Sequence, residues 1–319
     1  MVNSMDIETK ARATSKKPVR YQEHWSSKAF DVFNILFMLF LLVAVLYPFL
    51  HIIAISFSSE SNIVRNTVTF YPKDPNTVNY YYILRDKMVY FGYRNSIFYA
   101  SGSTLLMLLF TSLMAYPLSL PQFPLKRFVT IFLSITMFFG GGLIPTYVLM
   151  DKLRLIDTPW VMMIPGCVSA MNVFIFRTFF KNIPAELRES AQLDGAGHLS
   201  ILFRIVLPLS KALLATFALF NIVGVWNSWF NGLVFLKSEP RYPLQLVLRS
   251  YLYKLDMAAI MQRAGSSAAG GDTFMRNQMV SSKGVQMAMI VVAMFPVMMI
   301  YPFFQRYFVK GVMIGAIKG

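Results

Sequence analysis

Long apolar runs alternate with polar segments along this chain. Windows of about 20 residues without a charge recur, the length a helix needs to cross a hydrocarbon core of about 30 Å. Six such runs stand out, at about 32–56, 97–120, 128–150, 159–180, 212–236 and 285–304. The pattern predicts an all-α membrane protein with six transmembrane helices. A polar leader over 1–28 precedes a single six-helix domain over 29–319, which contains a charged loop at 181–211 and a long polar segment at 237–282. Pro48 is expected to kink the first run near its end. Gly140, Gly141, Gly142 and Pro145 are expected to unwind or bend the third. Irregular backbone at membrane depth is tolerated only where it is buried in protein or lines a cavity. The stretch FGGGLIPTY is therefore placed against a path through the membrane. Ser101, Gly102, Ser103 and Thr104 suit close helix packing.

Composition agrees. Of 319 residues, 56% are hydrophobic and 14% charged, with mean hydropathy +0.52; a soluble domain carries about 25% charged residues. The net charge of +15 would suggest nucleic acid in a soluble chain. In a membrane protein it reads as topology and contact with anionic lipid, and no nucleic-acid partner is expected. The leader is basic, which keeps an N-terminus in the cytoplasm; an even number of spans returns the C-terminus there. The segments assigned to the inside hold only slightly more Lys and Arg than those outside, so the leader, together with what the loop at 181–211 resembles, carries this orientation. It is not a cleaved signal peptide, because the apolar run starts too late, is too long and lacks a small-residue cleavage site. The lone Cys167 excludes a disulfide framework.

No catalytic constellation is present. There is no GxxxxGK[ST] loop, and His24, His51 and His198 fall in three separate segments without a ligand pattern. The chain is expected to be no enzyme and to bind neither metal nor cofactor itself. No carboxylate sits in the middle of a run, whereas intramembrane Asp or Glu usually marks ion coupling. The energy for any transport must then come from outside the chain; the alternative is a self-sufficient secondary transporter or channel for a polar solute. The fifth run carries Asn221, Trp226, Asn227, Trp229, Phe230 and Asn231. Flat aromatic faces with amide donors and acceptors are what a sugar asks of a path. These residues, with Asn172 and Gly141, form the expected substrate path. The competing reading makes the tryptophans interfacial anchors and the asparagines links between helices.

Residues 184–208, PAELRESAQLDGAGHLSILFRIVLP, are neither apolar nor loop-like. A helix is predicted from Pro184 at its first position to Gly195 at its end. A second, over SILFRIV, has Leu202, Phe203 and Val206 at helical spacing and is broken or kinked at Pro208. A charged helix-turn-helix held between spans is a docking surface.

The spacing of Glu189, Ser190, Ala191, Gly195, Ile205, Leu207 and Pro208 resembles the EAA loop of binding-protein-dependent ABC importers, with Ser190 standing for the first alanine. Asp194 and Ala196 match its common Asp-Gly-Ala form. From about Arg94 onward the chain resembles the carbohydrate-uptake permeases. The runs FFGGGLIPTY, WNSWF and YPLQLVLRS resemble the aldouronate and plant-polysaccharide branch. The resemblance implies a type I importer permease fold in the bacterial cytoplasmic membrane, crossing it several times. It implies a second permease, usually a different one, two copies of a cytoplasmic ATPase that hold the ATP and Mg²⁺, and an extracytoplasmic sugar-binding protein. The cargo would be an oligosaccharide, with uronate-containing plant or algal fragments as the narrower form. Glu189 would meet a basic residue of the ATPase, and Gly195 would let the backbones approach. The tail residues Lys310, Gly311, Lys318 and Gly319 are similar to tails that reach the ATPase pair. The segment 250–282 corresponds in position to a loop that enters the binding protein.

Overall fold

The computed structural model describes residues 25–263 and 282–316, with side chains over 25–253 and 283–303. Helices make up the fold, and no strand occurs among the described residues. In chain order they are α1 (Trp25–Phe57), α2 (Glu60–Val64), α3 (Val78–Arg85), α4 (Lys87–Ser119), α5 (Lys126–Phe138), α6 (Leu143–Lys152), α7 (Trp160–Met163), α8 (Ala170–Lys181), α9 (Glu186–Leu193) and α10 (His198–Ile201). A π-helical turn, Leu202–Val206, leads into α11 (Leu207–Leu209), followed by α12 (Lys211–Trp226), α13 (Trp229–Phe235), α14 (Leu244–Arg263) and α15 (Ser282–Ala316).

Contacts divide the chain into two units, residues 1–49 and 50–319. In the first, the described residues are helical and exposed on every face, from Phe33 and Leu36 to Phe40 and Leu46. A helix apolar all round is a membrane helix or a buried one.

The second unit is built on α4, which packs against α3, α5, α7, α8, α12 and α14. Small residues on its buried face, Ala100, Ser103, Thr104, Thr111, Ser112 and Ala115, let neighbours approach closely between the larger buried Tyr99, Met107, Tyr116 and Leu118. A Cβ added at Gly102 would lie 2.4 Å from the Met163 sulfur. The expectation of close packing at Gly102, Ser103 and Thr104 therefore holds. Ser101 is exposed and turns its hydroxyl back to the Ile97 carbonyl, 2.6 Å. The second half of α4 joins Phe176, Phe180, Ile201, Leu202, Val206 and Leu213 in the main apolar core. Its first half packs with Trp226, Leu244, Val247, Ala288 and Met289 in another.

The expected spans differ from the helices. Among the described residues three helices are long and apolar enough to cross a membrane, α1, α4 and α15; counting each bent pair as one span raises this to five. The third run is α5 and α6, which meet at 119°. The break is where the glycines predicted it, and Gly142 takes φ +76°. The fourth run, 159–180, is α7 and α8 separated by residues 164–169, with Pro165 and Gly166 (φ +81°) in the gap. At 1.5 Å per residue α8 alone spans only about 18 Å. The fifth run ends as a helix at Trp226 and restarts at Trp229. Asn227 turns its side-chain amide onto the Val223 carbonyl at 3.0 Å, the local competition that makes asparagine a poor helix interior. α4 starts ten residues before the expected 97, and α15 runs on past the expected 304 to Ala316.

Far from α9, at the first half of α4, a polar clamp joins three segments. Asp157 (φ +57°) accepts from the Lys237 and Ser238 N–H groups, both 3.0 Å, and from the Ser238 hydroxyl at 2.6 Å. It also pairs with Arg241 at 3.0 Å. The segment so held is fixed to α4: Asn95 donates to the Pro240 and Tyr242 carbonyls, Tyr99 to the Arg241 carbonyl, and the Ser96 hydroxyl accepts from Leu244 N–H. Burial pushes the Asp157 carboxyl up, but the Ser238 and Lys237 bonds and Arg241 outweigh it and bring it down to about 2. Its contribution is therefore complete above its ordinary 3.8 and is lost as pH falls toward about 2. Asp157→Ala should cost about 2 kcal/mol of stability at neutral pH. Thermal unfolding of the purified protein against pH checks this: the gap between wild type and variant should close below pH 3.8.

Candidate functional site

The loop between α8 and α12 is a compact helical hairpin. α9 begins at Glu186, so Pro184 lies two residues before its first helical residue rather than at it. It ends in a left-handed turn. Gly195 N–H bonds the Gln192 carbonyl at 3.0 Å and Ala196 N–H the Ala191 carbonyl at 2.9 Å, with Gly195 at φ +81°. This Schellman pair satisfies carbonyls that a helix end leaves open. A Cβ at Gly195 would meet open space, so within this chain the glycine is required by its backbone angle and not by crowding.

The second helix of the hairpin runs on through Pro208 to Leu209, and the sharp turn follows it: the helix over His198–Leu209 meets α12 at 82°. A proline ring would clash with the carbonyl four residues back; the wider π turn at Leu202–Val206 is where the helix gives way. Leu202 and Val206 are buried as the spacing predicted, and Ile201 with them, but Phe203 is 47% exposed.

The hairpin has an anchored side and an open side. Ala191, Ala196, Ile205 and Leu207 pack against the main core. Glu189, Ser190, Asp194, Gly195 and Pro208 are exposed. Two features were not singled out in the sequence. Leu193 is 90% exposed, beside the turn at Gly195. Arg188, one residue before Glu189, is buried and reaches the Phe180 carbonyl at 3.5 Å, at the C-terminal end of α8 where a cation is favoured. The sign available was its position: Arg188 falls on the same helix face as Ala191, three residues on.

The expected substrate path divides. The Asn221 amide donates to Ser103 Oγ at 3.3 Å and Thr104 Oγ1 at 3.0 Å, joining α12 to α4. Trp226 is 2% exposed, and its indole N–H bonds the Ala293 carbonyl of α15 at 3.1 Å. The Asn221 amide N–H and the Trp226 indole N–H are thus both engaged within the chain, as in the competing reading of helix-linking groups, and Trp226 has no open face. Asn227 and Asn231 are exposed, Asn172 is half-buried, and Gly141 is exposed at the break between α5 and α6. Trp229 is half-buried with the Arg249 guanidinium 3.6 Å above its ring centre. Lys310 and Gly311 lie on the helical backbone of α15, with their side chains beyond the described set. Lys318, Gly319 and most of 250–282 lie outside the described residues. No group of His, Cys, Asp and Glu able to hold a metal occurs among the described residues.

Residues 92–314 match the family model described as "Binding-protein-dependent transport system inner membrane component". The chain is 36% identical to Protein LplC of Bacillus subtilis over 92% of its length and 96% of that protein's. It is 33% identical to the polygalacturonan/rhamnogalacturonan transport system permease protein YtcP of the same organism, over 92% and 99%. A bacterial ABC transporter involved in the import of the acidic polysaccharide alginate superposes with TM-score 0.81 at 30% identity, over 89% of this chain and 98% of that one.

The two tryptophans should behave differently. Trp226→Ala removes a buried ring and should cost about 3–5 kcal/mol, whereas Trp229→Ala, at a half-exposed ring, should cost about 1 kcal/mol. Thermal unfolding of the two purified variants measures the difference.

Proposed function

The chain belongs to the family of binding-protein-dependent transport system inner membrane components, and from that premise we propose that it is the permease subunit of an ATP-driven ABC importer for an oligosaccharide. The observation that carries this is the hairpin at 183–210. Its open side, with Glu189, Asp194, Gly195 and Leu193, is a protruding surface, and its other side is fixed into the core by Ala191, Ile201, Leu202 and Val206. Such a part can receive a push from a neighbour and pass it to the bundle without folding away.

In this reading α9 fits a cleft on a cytoplasmic ATPase, two copies of which hold the ATP and Mg²⁺ and close on binding nucleotide. Glu189 meets a basic residue there, and Leu193 fills an apolar hollow. A second permease completes the pore, and an extracytoplasmic binding protein hands over the sugar. The N- and C-termini face the cytoplasm, and Lys310, Gly311, Lys318 and Gly319 approach the ATPase pair. The exposed break at Gly140–Gly142 needs cover at membrane depth, from the second permease or a path between the two. Asn227, Asn231 and the Trp229–Arg249 pair lie on the path side, with Asn172 and Gly141. An exposed guanidinium over an indole suits a sugar acid, since it adds a carboxylate partner to an aromatic platform. This supports uronate-containing fragments as cargo, alongside the polygalacturonan and alginate systems that the chain is similar to.

Gly195→Asp should place a side chain at φ +81° and a second charge beside Asp194. The variant chain should still insert and pair with its partner permease, but uptake should fall to background and sugar-stimulated ATP hydrolysis should be lost. Wild-type uptake in membranes carrying the variant would overturn the coupling role. Transport by the chain alone in liposomes, without an ATPase, would overturn the importer reading in favour of a self-sufficient transporter.

A further inference from the structure

An open pocket of about 510 Å³ lies where the 121–125 turn and the start of α5 meet α8. Its lining combines cationic and apolar groups: Lys126, Arg127 and Arg177 with Thr130, and Pro121, Phe123, Pro124 and Ile131. No carboxylate is among the lining residues. Lys181, one turn beyond Arg177 on α8, is near enough to act on Lys126 as a further positive charge. Like charges brought together cost free energy unless an anion neutralises them. The fold holds the cluster in place all the same. Lys126 Nζ donates to the Leu120 carbonyl at 3.1 Å, and Arg177 Nη1 to Thr130 Oγ1 at 3.3 Å. Lys126 and Arg127 also form the first turn of a 13-residue helix, whose N-terminal N–H groups add positive potential on the same side.

The surroundings say what kind of anion. Phe123, Pro124 and Ile131 line the pocket beside the cations, and Leu125 and Phe128, which flank Lys126 and Arg127 in the chain, are exposed by 57% and 69%, so apolar surface adjoins the cations. A soluble anion finds no use for that surface; an acyl chain does. We propose that this pocket holds the phosphate of an anionic phospholipid, with its glycerol and upper chains against Phe123, Pro124 and Ile131. Arg177 grips the phosphate with its free fork of N–H groups, Lys126 and Lys181 balance the charge, and Thr130 orients the guanidinium. The lipid fixes the turn between α4 and α5 to the C-terminal end of α8, the end that leads into the docking hairpin. The inference needs only that the chain lies in a membrane, so it stands or falls separately from the cargo and from the ATPase coupling.

The test uses the whole importer, assembled in cells, extracted from membranes containing phosphatidylglycerol and exchanged through detergent. Native mass spectrometry then reads the phosphatidylglycerol retained. Lys126→Gln with Arg177→Gln should reduce retention about tenfold or more, Lys126→Arg should keep it, and Lys152→Gln, a cation on α6, should leave it unchanged. Arg127→Gln, at an exposed position, is the variant least able to disturb folding and should lower retention severalfold. Washing with excess inorganic phosphate should not release the lipid. Retention in the Gln variants equal to wild type overturns the site, and release by inorganic phosphate alone makes it a site for a small soluble anion. A subunit carboxylate seated on Arg177 in the assembled particle makes it a protein contact, and equally overturns the proposal.

Discussion

A helix touched by six neighbours lets them approach closely only where its buried face is small, and this constraint shapes α4. Its Ala, Ser, Thr and Gly positions bring α7, α8 and α12 close enough for backbone and short side chains to meet. In lipid there is little hydrophobic gain in pressing one apolar helix on another, so close packing and hydrogen bonds have to supply the association. Asn221 shows how: one amide spans Ser103 and Thr104 and so fixes the height and rotation of α12 on α4. With α12 placed, Trp226 reaches Ala293 and seats α15.

The two ends of α4 are held differently. At its first half, Asn95, Ser96, Tyr99 and Asp157 hold the 236–244 segment through directed polar bonds. At its second half the contacts are apolar, and three buried hydroxyls, Thr111, Ser112 and Tyr116, have no hydrogen-bond partner among the described residues. A buried hydroxyl without a partner costs about 1–3 kcal/mol. Non-directional packing allows a neighbour to shift in a way that a set of fixed bonds does not. The rigid end of the subunit is thus the clamp, and the end with latitude adjoins the hairpin.

How much of this was legible in the residues follows from which physics each feature uses. Glycine angles are local, so the breaks at Gly142 and Gly195 could be read directly from the chain. The hairpin's signature could be read too, because its spacing is fixed by one short supersecondary unit. Helix ends inside apolar runs were less visible: nothing in hydropathy distinguishes a straight span at 159–180 from α7, a turn and α8. The asparagines and tryptophans of the fifth run were visible as polar and aromatic groups, but their partners were not. Ser103, Thr104 and Ala293 are distant in sequence, so whether Asn221 and Trp226 face a cavity or a helix depends on tertiary contact alone. The Asp157 clamp escaped notice for the same reason, since its partners lie some 80 residues away.

The hairpin's placement gives the last step. Arg188 points inward from α9 to the Phe180 carbonyl, and Phe180 belongs to the same core as Tyr116 of α4 and Ile201 of the second hairpin helix. A displacement of α9 therefore cannot be absorbed by the loop. On one side it meets a guanidinium seated on the end of α8, and on the other the buried row Ile201, Leu202 and Val206. Interiors packed at close to crystal density transmit strain instead of yielding to it. Displacement applied at Glu189–Gly195 must emerge as movement of α8 and the start of α12 against the second half of α4, across the seam whose contacts are apolar, while Asn221 holds the rest of α12 in place. The helix breaks at Gly142 and at Asn227 then mark where the far parts of the chain can stay behind, held by the clamp, while that end moves.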